Sequence, residues 1–224
     1  GRFQGETHLG FAAHFGHQYS HVWVDFRGIR DGYMAHRGLD YFENSRRATY
    51  AQRNYAINNP AGWKGYDVDI WGLTASDGPG HMSVSDHAGK RRDFRDYYAR
   101  GAGLQLAFDD GTIAPTAALG SLPFAPEIVI PAAQALHSRH GHMIYGRYGF
   151  FDAFNPSFTQ AQVKLSDGRV EPGFGWVAND YLGIDQGPIL AMMANYRSDF
   201  VWKTMRGHPV LRQGLQRAGF SGGW

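Results

Sequence analysis

The chemistry open to this chain rests on a few acids, and their neighbours set what each could do. Glu43 lies in residues 39–57, LDYFENSRRATYAQRNYAI, with Arg47 four residues on; Asp152 stands alone among Tyr145, Tyr148, Phe150, Phe151 and Phe154; Glu127 follows Pro126; Asp185 precedes Gly187 and Pro188. Each has a structural use beside a chemical one. Asp40 and Glu43 make a capping-box pattern, in which the first side chain accepts from a first-turn amide and the second reaches back to the cap amide. Glu43 and Arg47 have the spacing of a helix ion pair. Glu127 falls in a first turn, where the helix dipole favours a carboxylate, and Asp185 suits a cap for the helix that Pro188 opens. Asp152 is either a turn residue bound to its own backbone or a carboxyl group whose ionisation is tuned by its surroundings.

Two histidines pose a separate question. His17 and His21 are four residues apart in FGHQYSHVWVD, a spacing that chelates zinc on a helix. The zinc-protease pattern also needs Glu directly after the first His, and Gln18 stands there. A third ligand would have to come from His81, His87 or the His137, His140, His142 group. The pair reads better as neutral imidazoles hydrogen-bonding in a polar, aromatic site, with no metal.

Positioning these groups calls for helices joined by irregular loops. At 3.6 residues per turn Leu39, Glu43, Tyr50, Asn54 and Ile57 share a face, with Arg47 beside them, and Phe42, Arg46, Thr49 and Arg53 share the next. A surface helix shows an apolar stripe; this one has none, so it is expected to pack among aromatic neighbours with polar groups turned toward something other than bulk water. Pro60 ends it. Residues 61–80 form a Gly- and aromatic-rich loop of the kind that often carries function, with Trp63, Trp71 and Asp77 as its candidates, although DGPG reads first as a turn. The charged run 81–103 is a solvated face or a lid. Short helices are expected over 116–122 and 126–140, with a kink at Pro131 and a core of Leu119, Leu122, Ile128, Val129, Ala132, Ala133 and Leu136. A small hairpin should turn at Ser166, Asp167 and Gly168, followed by helices over 189–196, 197–205 and 209–218. No repeat or low-complexity linker divides residues 1–224, which are read as one domain.

Composition narrows the function. The 224 residues are 43% hydrophobic and 15% aromatic, enough for a substantial core. A net charge of +2 from 22 basic and 20 acidic residues gives no steering toward nucleic acid. Flat rings alternating with Asp, Asn, Gln and Arg suit a site that stacks on and hydrogen-bonds a polar ring compound, of which sugars are the obvious class. There are no cysteines, so neither disulfide nor thiolate chemistry is available. No run is long enough to span a membrane, and residues 1–15 lack the organisation of a signal peptide. The chain opens on Gly1 rather than Met, and is read as a mature or excised piece.

Six blocks in order, HQYSHVWVDFRG, DYFENSRRATYAQR, WGLTASDGP, DGTIAPTAALGSLPFAPE, GRYGFFDAFNP and YLGIDQGPIL, resemble the bacterial glucoamylase-like family over residues 17–220. That family is similar to endo-β-1,2-glucanases and to the transglycosylating domain of cyclic β-1,2-glucan synthases. The resemblance implies an all-α (α/α)6 toroid with a pocket at one end. It also implies a glycoside hydrolase of β-linked glucan, β-1,2-glucan favoured, that uses no cofactor. Its alternatives are a transglycosylase of cyclic β-glucan synthesis and a non-catalytic sugar-binding remnant. A complete toroid has twelve helices and about six to eight are legible here, so the chain resembles the C-terminal part, with the rest missing or supplied by a second chain. The implied location is periplasmic or secreted.

Glycoside cleavage needs one protonated carboxyl group and one carboxylate that activates water or attacks the sugar. Carried over, Glu43 takes the acid's part, raised by burial among Tyr41, Phe42 and Tyr50, and Asp152 takes the second. Glu127 is the runner-up, and would fit a retaining transglycosylase if it lies near Glu43. Gln18, His21, Arg47, Trp71, Tyr148, Asp185 and Gln186 would hold the sugar.

Overall fold

A computed structural model describes residues 1–86, 89–103 and 107–223. After a 3-10 turn at His14–His17, the helices are α1 (Tyr19–Trp23), α2 (Gly32–His36), α3 (Tyr41–Asn58), α4 (Pro115–Leu119), α5 (Pro126–Ala135), α6 (Gly141–Ile144), α7 (Gly183–Ser198), α8 (Phe200–Arg206) and α9 (Pro209–Arg217). Between them lie short antiparallel pairings: Arg2–Phe3 with Glu6–Thr7, Ala75–Ser76 with Tyr98–Ala99, Met82–Ser85 with Arg91–Phe94, and Tyr145–Gly146 with Gly149–Phe150. Gly175–Val177 is flanked by Arg169–Glu171 and Phe154–Asn155. The described residues thus form a helical fold with small hairpins and no closed sheet, as a piece of an (α/α) toroid with hairpin insertions does. Among them no helix is long and apolar enough to cross a membrane.

The longest helix shows why its sequence lacks an apolar stripe. Asp40 caps α3 by accepting from the Glu43 amide at 2.7 Å, and Asn59, in the left-handed region at φ 39°, ends it before Pro60. Its buried face is largely polar: Asn44, Ser45, Thr49 and Gln52 alternate with Ala48, Ala51 and Ala56. These side chains all have partners, as buried polar groups must: Ser45 has the His21 imidazole, Thr49 the Ser45 carbonyl and the His14 imidazole, and Gln52 and Asn44 neighbouring backbone. Gln52 accepts from the Leu73 amide at 2.8 Å and donates to the Leu73 carbonyl at 2.7 Å. Asn44 accepts from the Leu9 amide at 2.7 Å and donates to the Leu9 carbonyl at 3.2 Å. The helix is therefore sewn to extended chain on two sides.

Several elements differ from expectation, each for a local reason. The segment carrying His17 and His21 is broken at Gln18 between the 3-10 turn and α1, so the two imidazoles do not share one continuous helix. Residues 27–38, which join α1 to α3, contain α2, capped by Asp31, which accepts from the Met34 amide at 2.8 Å. Residues 126–140 divide into α5, with Pro131 inside, and a π-helical turn at Leu136–His140. Helix α7 starts at Gly183 rather than 189, so Pro188 is inside it and Asp185 lies in its first turn rather than at the cap.

The predicted hairpin turns at 172–174, not at Ser166, Asp167 and Gly168. Buried Trp176 pairs with Val170 and Asn155 and donates its indole N–H to the Asp167 carbonyl at 2.8 Å, which sets the register. The charged run is not simply a solvated face: Phe94 of its hairpin is buried, and the Arg92 guanidinium lies 4.3 Å from the Trp63 ring centre.

The largest apolar cluster gathers α4 and α5 around Ile70, Trp71, Ile113, Leu136 and Phe154. It takes in Leu119, Leu122, Ile128, Val129 and Ala132, with Ala133 packed at its edge. A second cluster centres on Trp63, Phe94, Phe158 and Trp176.

Candidate active site

The loop after β-pairing at Phe150 and the first turn of α7 bring Asp152 and Asp185 together. Both are buried, 2% and 3% exposed, and their carboxyl groups lie close enough for each to shift the ionisation of the other. Asp152 Oδ2 accepts from the Asp77 amide at 2.6 Å. Asp152 Oδ1 and Asp185 Oδ2 receive no N–H or O–H from any other described residue. Two carboxylates in that contact repel unless a proton lies between them. Burial, first, and the contact with Asp185, second, push Asp152 up to about 8, and burial raises Asp185 as well. The pair therefore titrates as a unit and holds a proton at neutral pH. Tyr19 of α1 stands beside Asp185, and its ionisation is raised by burial and by that acid.

Asp77 stands beside the pair. Burial and the charges of Asp152, Asp167 and Asp180 push it up to about 6. One carboxylate oxygen of each of Asp77, Asp167 and Asp180 lies within 4.8 Å of the others; Asp180 is exposed, and the crowding accounts for the late ionisation of Asp77. Among the described residues no third ligand at such spacing joins His17 and His21, and His87 lies outside the described residues.

Aromatic surface borders the acids. Tyr19 and Trp23, the latter 55% exposed, line a cleft of about 330 Å³ with Val22, Ile184 and Pro188. Tyr148, exposed at the tip of its hairpin, meets Tyr181 edge-on at 5.4 Å, and Tyr181 packs on Phe151 at 4.8 Å. Gln186 donates to the Phe150 carbonyl at 2.8 Å and ties this hairpin to α7. Asp152, Asp185, Gln186 and Tyr148 thus belong to one region.

The remaining expected site residues fall into two other places. Glu43 is one-third exposed, accepts from Arg47 Nε at 2.8 Å and lies 3.8 Å from Arg46. It therefore has the cap and ion-pair surroundings, and the burial among Tyr41, Phe42 and Tyr50 expected for a raised carboxyl is not there. Glu127 is half-exposed, accepts from the Tyr50 hydroxyl and lies 3.5 Å from Arg46. Its ionisation is lowered: burial opposes, but the Tyr50 and backbone hydrogen bonds and Arg46 outweigh it. One guanidinium therefore bridges Glu43 and Glu127. Arg47 also donates to the Thr7 carbonyl at 3.1 Å.

The other three are interior. Trp71 is 0% exposed in the main core and offers no face to a ligand, which corrects the role carried over from its matching block. Gln18 is buried and donates to the Ala117 carbonyl and the Ser121 hydroxyl, each at 2.8 Å, binding the first turns to α4. His21 is buried with Nε2 3.0 Å from the Ser45 hydroxyl, and burial pushes it down to about 3, so it is neutral. It shares a groove of about 290 Å³ with Phe11, His17, Phe26, Tyr41 and Phe220.

One participant, Tyr19, is not marked in the sequence beyond its i, i+4 spacing with Trp23. Asp77 is among the candidates of its loop, although its turn signal weighs against a chemical use.

Residues 1–209 match the glycoamylase family, described as putative glucoamylase. A crystal structure of a putative glucoamylase from Bacteroides uniformis superposes on 99% of this chain with a TM-score of 0.77 and 36% identity, the chain covering 46% of it. An endo-β-1,2-glucanase from Chitinophaga pinensis, solved with sophorotriose and glucose, is similar over 94% of this chain and 41% of its own length, with a TM-score of 0.70 and 33% identity. An exo β-1,2-glucooligosaccharide sophorohydrolase from Parabacteroides distasonis is 30% identical over 199 residues, 89% of this chain and 22% of the relative. The chain thus spans less than half the length of each of these relatives.

Proposed function

We propose that this chain, which belongs to the glycoamylase (putative glucoamylase) family, serves the hydrolysis of β-1,2-linked glucan by carboxyl acid–base catalysis. The β-1,2 linkage is taken from the relatives named as β-1,2-glucanase and sophorohydrolase. The observation that carries the reading is the buried Asp152–Asp185 pair, which holds a proton at neutral pH.

A glycosidic oxygen leaves as an alcohol only if it is protonated, and a carboxyl group kept neutral by burial can supply that proton. Asp152 and Asp185 are such a group. Asp77, beside them and ionised at neutral pH, takes the part of the carboxylate that draws a proton from water. Tyr19, half-buried, and Tyr97, exposed, border the acids, and the rings of Tyr19 and Trp23 offer flat faces to a sugar. No step calls for a metal or an organic cofactor.

A second reading has its own observation. Glu43 and Glu127 flank one guanidinium at the joint between α3 and α5, and two glutamates brought that close, one as nucleophile and the other as the acid that protonates the leaving oxygen, suit covalent transfer, as in cyclic β-glucan synthesis. Linear β-1,2-glucan incubated with the protein, with products weighed by mass spectrometry and anomers followed by NMR, separates the two. The first reading expects short glucans with inverted anomers and a loss of turnover of about 10²-fold or more in Asp152→Asn, with Glu43→Gln and Glu127→Gln active. Retained anomers or cyclic products, lost on Glu43→Gln or Glu127→Gln, would establish the second. Binding of β-1,2-glucan by a folded sample that releases no product would leave a sugar-binding chain. The same substrate class puts the protein in the periplasm or outside the cell, to be checked by fractionation against a periplasmic marker.

A further inference from the structure

We propose that Arg100 is a positioning residue for the Asp152–Asp185 pair, acting through the peptide group that joins Ser76 to Asp77. The inference rests on the reading of that pair as the proton holder. Arg100 is fully buried. Its Nη1 donates to the Ser76 carbonyl at 2.7 Å, and on the far side of the same peptide the Asp77 N–H donates to Asp152 Oδ2 at 2.6 Å. The peptide is trans and planar, so its C=O and N–H point in opposite directions and link the guanidinium to the acid in line. A cationic donor on the carbonyl polarises the amide and strengthens its N–H as a donor. That N–H holds Oδ2 as an acceptor, which leaves Oδ1 for the proton shared with Asp185.

The rest of the Arg100 environment keeps the guanidinium in that plane. Asp110, also fully buried, receives Nε at 2.8 Å and Nη2 at 2.9 Å, and Nη2 further donates to the carbonyls of Arg95 and Asp96 at 2.9 and 3.0 Å. Gly78 lets the loop lie on the fork: a Cβ there would fall 2.1 Å from Nη2 and 2.2 Å from the Arg95 carbonyl. Nη1 also reaches the Ser76 hydroxyl at 3.4 Å and the Tyr98 carbonyl at 3.3 Å, across the pairing of Ser76 with Tyr98; of all these contacts the bond to the Ser76 carbonyl is the one that leads on to the acids.

The groups facing Asp152 are Asp185 from α7, with Tyr19 of α1 behind it, Asp77 from its own loop, with Asp167 and Asp180 behind it, Tyr97, and Arg100. The acids and burial favour the protonated form. Arg100 and the Asp77 amide favour the ionised form, so weakening the link must raise the midpoint.

The test reads titration rather than turnover. In the isotope-labelled wild-type protein, the Ser76 carbonyl carbon, the Asp77 amide and the Asp152 carboxyl carbon should move with pH through one shared midpoint near 8. Arg100→Lys keeps the charge and loses the planar fork; its midpoint should rise by roughly one pH unit, and the alkaline limb of the glucan-hydrolysis profile should rise with it. An Asp152 titration that leaves the Ser76 carbonyl unmoved overturns the proposal, as does a folded Arg100→Lys with an unchanged midpoint. Where Arg100→Lys does not fold, the wild-type titration decides alone. A shared midpoint in a protein that cleaves no glucan would strike the hydrolase reading and leave this one standing; cleavage with an unmoved Ser76 carbonyl would do the reverse.

Discussion

Asp152 and Asp185 show how one contact changes what two ordinary residues are. Either carboxyl group alone, buried to this degree, would be costly to ionise; together they keep a proton that solvent-exposed acids lose near pH 4. The linkage has a definite sign. Between the ordinary carboxylate range and about 8 the folded protein binds a proton that the unfolded chain has released, so this pair's stabilisation is complete at low pH and is lost as pH rises through that window. Asp152→Asn, whose amide can donate to Asp185, should flatten the fall of unfolding free energy with rising pH across this window, as urea titrations at successive pH values would show. An unchanged slope would mean that no proton is shared. Glu43 has the opposite setting: part-exposed and paired with two arginines, it should lose no more than about 1 kcal/mol of stability as Glu43→Gln.

At the scale of elements, α3 is held by its ends and by its polar face. Replacing its cap, Asp40→Ala, should cost about 1 kcal/mol in chemical denaturation while leaving hydrolysis of glucan unchanged, since Asp40 touches none of the acids assigned to chemistry. Gln52→Ala should be worse, about 2 kcal/mol, because it strands the amide of Leu73 in the interior, while the Leu73 carbonyl keeps its bond from the His14 amide. Leu73 precedes the loop of Asp77 by four residues. A loosened Gln52 contact should therefore also lower turnover, which ties the packing of α3 to the geometry of the acids.

Across the whole molecule, the first turns are a reservoir of neutral imidazole. His14, His17 and His21 are buried, and burial lowers all three, His17 to about 4 and His21 to about 3. Their sign is opposite to that of the acid pair. As pH falls below about 6.5 the unfolded chain takes up protons that these folded histidines refuse, so stability is lost progressively toward pH 4 and below. Unfolding free energy plotted against pH should therefore decline on both sides of a maximum near pH 6, the alkaline decline belonging to Asp152 and Asp185. A curve that falls steadily as pH rises from 4 to 6.5, the acid pair's slope alone, would show that the imidazoles are not held neutral.

The sequence by itself determined the local facts: the start of α3 at Asp40 and its end before Pro60, the start of α5 at Pro126, most of the apolar residues that line the main core, and, through six blocks in order, the family. These follow from capping chemistry, proline geometry and periodicity, which act over a few residues and are written in a few residues. Tertiary structure alone decided which acids meet. Asp77, Asp152 and Asp185 come from three distant loops and ends, and nothing local to any of them records the other two. It also decided that Trp71 is core, that Glu43 and Glu127 share Arg46, and that Arg100 reaches Asp152 through a peptide group. The physical reason is that ionisation depends on burial and on charges a few ångströms away, and those distances are set by packing rather than by spacing along the chain.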